Sequence, residues 1–287
     1  QQQRSSIHRH GLDIGTPALS ILAQVLWILG YPQQAKARSR EALTQAQETK
    51  LPFGTAMAWN LTAELHQFLR ETQAVLQQTE VLRELCHEQG ISLYFAMATL
   101  QHGWSLVMLE KEREGFQEIQ QGVAAVRATG REARRTYHLA LLAEAYGKTG
   151  QVEEGIAALV EALEAVNQME ERYYEAELYR LKGELTLQKF RVSSFEFQVP
   201  PNTQPLTPST QVEAEAEACF LKAIDIARKQ QAKSWELRAS TSLARLWQQQ
   251  GKISEAHKLL SEVYNWFTEG FDTKDLQEAK ALLEELG

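Results

Sequence analysis

The sequence predicts an all-α fold, a right-handed α-solenoid of helical hairpins repeating about every 40 residues. Three observations predict it. Apolar residues recur at i, i+3, i+4 and i+7 through long windows, the mark of amphipathic helices, and strand signals are scarce. Three segments copy one another: LAQVLWILGYPQQAKARSREAL from Leu22, LAEAYGKTGQVEEGIAALVEAL from Leu142 and LARLWQQQGKISEAHKLLSEVY from Leu243. Each carries a small residue, another 12 positions on, and a small or slim one 7 beyond: Ala23, Ala35, Ala42; Ala143, Gly155, Ala162; Ala244, Ala256, Val263. Antiparallel helices approach closely only where facing side chains are short, so the first two positions join a hairpin and the third seats the next one. Gly30, Gly150 and Gly251 lie between the first two, where the chain reverses.

The elements run in order along the chain. IHRHGLDIGTP reads as an irregular lead-in to the hairpin of Ala23. Hairpin two is a degenerate copy through Thr62, Ala74 and Val81, and hairpin three uses Gly103, Gly115 and Gly122. In these two, Leu69 and Glu110 stand near the expected turn glycine. Second anchors at 35, 74, 115 and 155 step by 39, 41 and 40. Hairpin five pairs ERYYEAELYRLKGELTLQKF, anchored at Gly183, with VEAEAEACFLKAIDIARKQQ, anchored at Ala216 and Ala223. Gly183 and Ala216 are 33 apart where 12 is expected, a surplus of 21. The Pro-rich FRVSSFEFQVPPNTQPLTPST is therefore a loop insertion (190–211) inside the fifth pair, and 1–287 is one domain. The alternation in VSSFEFQV permits a short extended piece with Phe195 and Phe197 on one face, and prolines deny helix to PPNTQPLTPST. After hairpin six, a loop leads to an N-cap at Asp272 or Thr273 and a helix to Leu286 that caps the stack. The start has no such cap, so further repeats are expected upstream. The opening QQQRSS, without an initiator Met, reads as a piece of a longer protein.

Composition narrows the function classes. Thirty Lys and Arg against 37 Asp and Glu give a formal charge of -7, which offers no basic surface for direct nucleic-acid binding. No apolar run reaches the ~20 residues of a membrane span. Cys86 and Cys219 fit neither a disulfide framework nor metal spacing and read as free thiols, pointing to a reducing, cytoplasmic setting.

Chemistry-bearing patterns are equally scarce. His8 and His10 lie near a ragged terminus, and His66, His87, His102, His138 and His257 fall on different predicted helices, so no metal is expected. GREARRTYH follows no strand, and Arg131, Arg134 and Arg135 read as a solvated helix start. Glutamates at 153–154, 170–171, 213, 215 and 217 sit near helix starts, where they complement the dipole. No catalytic residue and no cofactor is expected.

Binding is expected on the concave face, lined by the first helix of each hairpin. Counting from the first anchor, that face holds Trp59, His66, Trp104 and Tyr137 in its first half and Arg180, Glu184, Arg238 and Arg245 in its second. Aromatics and arginines are the usual anchors of an interface. For Trp27 and Trp104 core packing is expected ahead of ligand contact, and for Arg180 and Arg245 the alternative is an ion pair with a neighbouring Glu within the stack. A small-ligand sensor would stack its ligand on Trp59, His66, Trp104 and Tyr137 in a closed pocket between hairpins two and four. A structural scaffold would pair stack ends into a homodimer.

The anchor spacing resembles the tetratricopeptide repeat (TPR) family, with a period longer than that family's nominal ~34 residues. ALSILAQVLWILGYPQQAKARSREAL, LALLAEAYGKTGQVEEGIAAL, YEAELYRLKGELTL, SWELRASTSLARLWQQQGK and WFTEGFDTKDLQEAKALLEEL together resemble the C-terminal repeat region of bacterial signal-transduction NTPases and adenylate/guanylate cyclase-associated regulatory proteins. That resemblance implies a regulatory sensor arm that binds a protein or peptide and works with an upstream NTPase or cyclase domain of the same polypeptide.

Overall fold

The computed structural model describes residues 14–130, 133–196 and 208–287. Among them lie thirteen α-helices and no strand. Six hairpins account for twelve: α1 Gly15–Ile28 with α2 Pro32–Thr49, α3 Pro52–Phe68 with α4 Thr72–Gln89, α5 Ser92–Met108 with α6 Glu112–Ala128, α7 Arg135–Lys148 with α8 Val152–Met169, α9 Glu175–Glu196 with α10 Pro208–Gln230, and α11 Lys233–Gln249 with α12 Ile253–Tyr264. The last helix is α13, Lys274–Leu286. The architecture is that of stacked helical hairpins, the TPR-like α-solenoid class. Two compact units divide the chain, 1–131 and 132–287. In the first, α3 packs on α1 and α2, and α5 on α3 and α4. In the second, α9 packs on α7 and α8, α11 on α9 and α10, and α13 on α11 and α12.

The turns explain why the hairpins form. Five of the six turn through three residues, with the middle one left-handed: Gly30 (φ 96°), Arg70 (59°), Glu110 (65°), Gly150 (78°) and Gly251 (76°). Each closes the first helix with the same pair of bonds. Gly30 N donates to Trp27 O at 2.9 Å and Tyr31 N to Leu26 O at 2.8 Å, and the pattern recurs at Arg70–Glu71, Glu110–Lys111, Gly150–Gln151 and Gly251–Lys252. This satisfies carbonyls that a helix end leaves open. Pro32 and Pro52 occupy first helical positions, where a missing N–H costs nothing.

The second helices share one burial register. Ala35, Ser39, Ala42 and Ala46 are buried on α2, as are Gly115, Ile119, Gly122 and Val126 on α6. On α4 the same places are held by Val75, Thr79, Leu82 and Cys86. The expected anchors of hairpin two are thus displaced by one residue: Ala63 is fully buried, whereas Ala74 is partly buried and Val81 is 44% exposed. Corrected, first anchors fall at 23, 63, 103, 143 and 183, a uniform step of 40. In hairpin three backbone approaches backbone. A Cβ on Gly103 would lie 2.6 Å from Gly115 O and 2.7 Å from Ile119 N.

Three further expectations need correction. Gly15, Thr16 and Pro17 open α1 instead of belonging to a lead-in. Helix enters the insertion from both sides, since α9 runs to Glu196 and α10 starts at Pro208. Residues 192–196 are therefore helical, not extended: once a helix is nucleated, each added residue gains a hydrogen bond, and no proline intervenes before 200. Residues 197–207, with Phe197, lie outside the described residues, as do His8, His10 and Arg131. At the C-terminus Thr273 does hold the N-cap position, but its hydroxyl donates back to Gly270 O at 2.7 Å. Cys86 and Cys219 are buried free thiols, and burial pushes Cys86 up to about 11.

Candidate functional site

The eight candidate residues separate by burial. Trp104 is 4% exposed and Tyr137 fully buried, so neither lines an open face. Trp27 is core as well, its ring 5.0 Å from that of Phe68. The reason is area: a large ring on a closely packed helix face gains most by burying itself. Tyr137 belongs to an aromatic chain, 5.5 Å from Tyr174, which lies 5.0 Å edge-on from Trp235. Trp235 Nε1 donates to Tyr173 O at 3.1 Å and ties α11 to the start of α9. Burial and the nearby Glu177 and Glu144 carboxylates push the Tyr174 phenol well up.

Trp59 is half-buried against a core that includes Ala56, Tyr94 and Met97. His66 sits in an ion cluster between hairpins one and two. Its Nδ1 bonds Glu71 Oε2, and Lys36 Nζ on α2 lies 2.6 Å from Glu71 Oε1. Burial alone would raise the Glu71 carboxyl, but the His66 and Lys36 bonds outweigh it and hold it at about 2. A second cluster joins hairpins two and three in the same way. His102 Nδ1 is 2.6 Å from Glu118 Oε2, and Arg83 on α4 reaches both Glu118 oxygens at 3.1 and 3.2 Å. The His66 cluster borders a cavity of about 290 Å³, lined also by Ser39, Arg40, Leu43, Thr62, Leu65 and Gln78. This cavity lies between hairpins one and two, and neither Trp59 nor Trp104 lines it.

The second-half candidates do come together, with one another and with residues the sequence reading missed. Arg180 forks onto Glu177, with Nε–Oε2 and Nη2–Oε1 both 2.8 Å. Arg238 Nε donates to Asp275 Oδ2 at 2.8 Å, Nη1 reaches Glu177 Oε1 at 3.5 Å, and the guanidinium lies 5.1 Å from the Trp235 ring centre. Burial opposes the charge on Arg180, and Glu177 outweighs it, so the pKa is raised. Outside this buried tier, Glu184 Oε1 accepts from Ser242 at 2.6 Å and Arg245 meets Glu278 at 3.1 Å. The network crosses α9, α11 and α13. Its signal was present in the i, i+3, i+4 spacing on α9, but Asp275 and Glu278 belong to a helix read only as a cap. Upstream, Arg135 pairs with Glu161 at 2.9 Å and Arg134 N donates to Glu171 at 2.7 Å, so both arginines are set in hairpin contacts.

Among the described residues no group of His, Cys, Asp and Glu is gathered so as to hold a metal ion, and no helix is long and apolar enough to cross a membrane. No family model matches the chain, and no curated protein sequence matches it. Solved structures do. Crystal structures of nearly identical TPR-like repeats from a putative kinesin light chain of Podosopora anserina include one at 17% identity and TM-score 0.47, covering 72% of this chain and 91% of that one. Another is at 16% and 0.46, covering 79% and 94%. A signal transduction ATPase with numerous domains and a tetratricopeptide repeat sensor, from Pyrococcus horikoshii, is 13% identical with TM-score 0.47, covering 94% of this chain and 38% of that one.

Proposed function

We propose that the chain is a protein-interaction and regulatory module. It docks a partner protein or peptide along the first helices of its hairpins and passes the occupied state to a neighbouring domain of the same polypeptide. The observation that carries this reading is the outer tier of the ion network. The Glu184, Arg245 and Glu278 side chains are 42, 46 and 35% exposed, above the buried pairs of Arg180, Glu177, Arg238 and Asp275. An exposed pair contributes ~0–1 kcal/mol, so a partner's charged groups replace it at little cost. The buried pairs hold the three helices in place while that exchange occurs. In this reading the neighbouring domain is an NTPase or cyclase module of a bacterial, cytoplasmic signalling protein, and neither nucleic acid nor membrane is a direct partner. Affinity capture from an extract, comparing the wild type with a Glu184→Lys/Arg245→Glu variant, tests it. A polypeptide held by the wild type and lost by the variant, at equal helical content, is expected. Identical captured sets sink the reading.

A second reading, small-ligand sensing, draws on the cavity beside His66. Its size is at the lower end of ligand pockets, which start at about 300 Å³. Leu43 and Leu65 give it an apolar wall, and Lys36 and Arg40 give it cations. A metabolite panel that raises the wild-type melting temperature, but not that of a cavity-filling Leu65→Phe variant, would favour it.

A further inference from the structure

The boundary between hairpins one and two is filled differently from the next one along. Leu43, Thr62 and Gln78 line the cavity there. One repeat of 40 residues later, the same places hold Arg83, His102 and Glu118. Those three are the ion cluster between hairpins two and three, where Glu118 meets His102 at 2.6 Å and Arg83 at 3.1 and 3.2 Å. In that boundary long polar side chains occupy the space, and the group on the second helix is supplied with donors. In the first boundary a leucine and a threonine stand where the two donors stand, and the cavity of about 290 Å³ is what these shorter side chains leave.

Two polar groups on this cavity have unmet needs. Gln78 Oε1, the counterpart of the Glu118 carboxylate, is buried and accepts no hydrogen bond. Thr62 cannot serve it, because its hydroxyl is 2.8 Å from that of Ser39 and bonds there. A buried acceptor without a donor is costly, and a ligand that donates to it removes the cost. The second group is Arg40. Lys36 and His66 are both engaged by the Glu71 carboxylate. Among the described residues the Arg40 guanidinium has no carboxylate, and its bond is from Nε to Lys36 O at 3.3 Å.

We propose that this cavity takes a small aliphatic acid with a hydrogen-bond donor beside its carboxylate, a 2-amino or 2-hydroxy acid. The inference rests on the small-ligand reading of the cavity and names the class of ligand. The carboxylate meets Arg40, whose planar fork matches a pair of carboxylate oxygens. One open cation suits a single negative charge better than a doubly charged phosphate. The ammonium or hydroxyl donates to Gln78 Oε1, in the role that His102 and Arg83 play toward Glu118. A branched alkyl chain lies against Leu43 and Leu65, the apolar wall. The cavity's size suits one such molecule and not a long peptide.

Probes that share one carbon skeleton test this in calorimetric titrations of the full chain. They are L-leucine, 2-hydroxy-4-methylpentanoate, 4-methylpentanoate, which lacks the donor, and L-leucinamide, which lacks the carboxylate. The first two are expected to bind about tenfold tighter than the last two, or more. Gln78→Leu brings leucine down to the level of 4-methylpentanoate and leaves the melting temperature unlowered, since Oε1 loses no bond. Arg40→Gln brings leucine down to the level of leucinamide. Leu43→Arg/Thr62→His/Gln78→Glu installs the neighbouring cluster and closes the cavity to every probe at unchanged helical content. The proposal is overturned if no probe binds the wild type, if all bind alike, or if Gln78→Leu keeps the preference for leucine. Should the probes fail while another metabolite raises the wild-type melting temperature but not that of Leu65→Phe, the cavity is a ligand site for a different class. Should nothing do so, the small-ligand reading falls with the proposal.

Discussion

Glu110 is exposed and yet holds a backbone conformation that glycine adopts freely. Its φ of 65° matches those of Gly150 and Gly251 in sister turns, and a left-handed L-residue costs about 1–2 kcal/mol. Glu110→Gly therefore stabilises the protein by about 1 kcal/mol, allowing for glycine's greater unfolded freedom. Chemical denaturation reads this as a higher midpoint at constant slope, and a lower midpoint contradicts it. Gly103→Ala goes the other way, because its Cβ meets backbone atoms that cannot rotate aside. A loss of about 3 kcal/mol is expected. His138 sets an acid limit. It is 5% exposed, and burial together with the Arg134 charge lowers its pKa to about 3. The unfolded chain binds that proton near the ordinary value of 6.5, whereas the folded chain does so only near 3. The contribution is whole above 6.5 and is lost as pH falls toward 3, at up to about 1.4 kcal/mol per unit. His138→Leu flattens the wild-type decline between pH 6.5 and 4.5, a window that closes before Glu71 begins to lose its own contribution below 4.5. Parallel stability curves for the two proteins in that window would refute this.

Whole elements follow the 40-residue period more strictly than any one residue type does. The helices and the hairpin pairing were legible because small anchors and glycine turns recur. Hairpin two was misplaced by one residue because its anchors are Val75 and Leu82, which are not small, and because Arg70 stands where the sister turns have glycine. The structure reads position; a sequence pattern reads only residue type, so Thr62, Ala74 and Val81 mimicked the signal one place early. The insertion gives the sharpest test of the corrected period. Removing residues 190–210 restores the 12-residue spacing between Gly183 and Ala216, and Gln211→Gly supplies the left-handed turn residue. The Gln188–Gly147 bond at 2.7 Å and the packing of Phe220 on Gly183 lie outside the excision. The shortened chain should lose only the helical signal of 190–196 and 208–210, and melt within a few degrees of the wild type. A collapse of ellipticity across the whole chain would show the spacing to be wrong.

For the molecule as a whole, residue type alone did not tell which of the aromatic candidates stay exposed, because packing decides it. Trp104 and Tyr137 have the chemistry of interface anchors, but their rings went to the core. The arginines at 180 and 238 found carboxylates on neighbouring helices, one of them on α13, which the sequence marked only as a terminal cap. That cap is thus both a lid on the core and a part of the candidate site. It buries Leu276, Ala279, Leu282 and Leu286 in a cluster with Leu237, Ala244, Leu260 and Phe267, and supplies Asp275 to Arg238. Ending the chain before Gly270 removes both. Each large aliphatic contributes about 1.5–3 kcal/mol on burial, and Arg238, its side chain 9% exposed, loses its closest carboxylate. Loss on the order of 5 kcal/mol is expected, with dye binding to the uncovered faces of α11 and α12 and aggregation near ambient temperature. A milder change separates the two roles. Asp275→Asn keeps the lid and weakens the ion pair, so the core stays dry while the melting temperature falls by a few degrees. If the truncated chain melted with the wild type and bound no dye, α13 would be neither lid nor partner to the network, and the second unit would have to be stable on hairpins four to six alone.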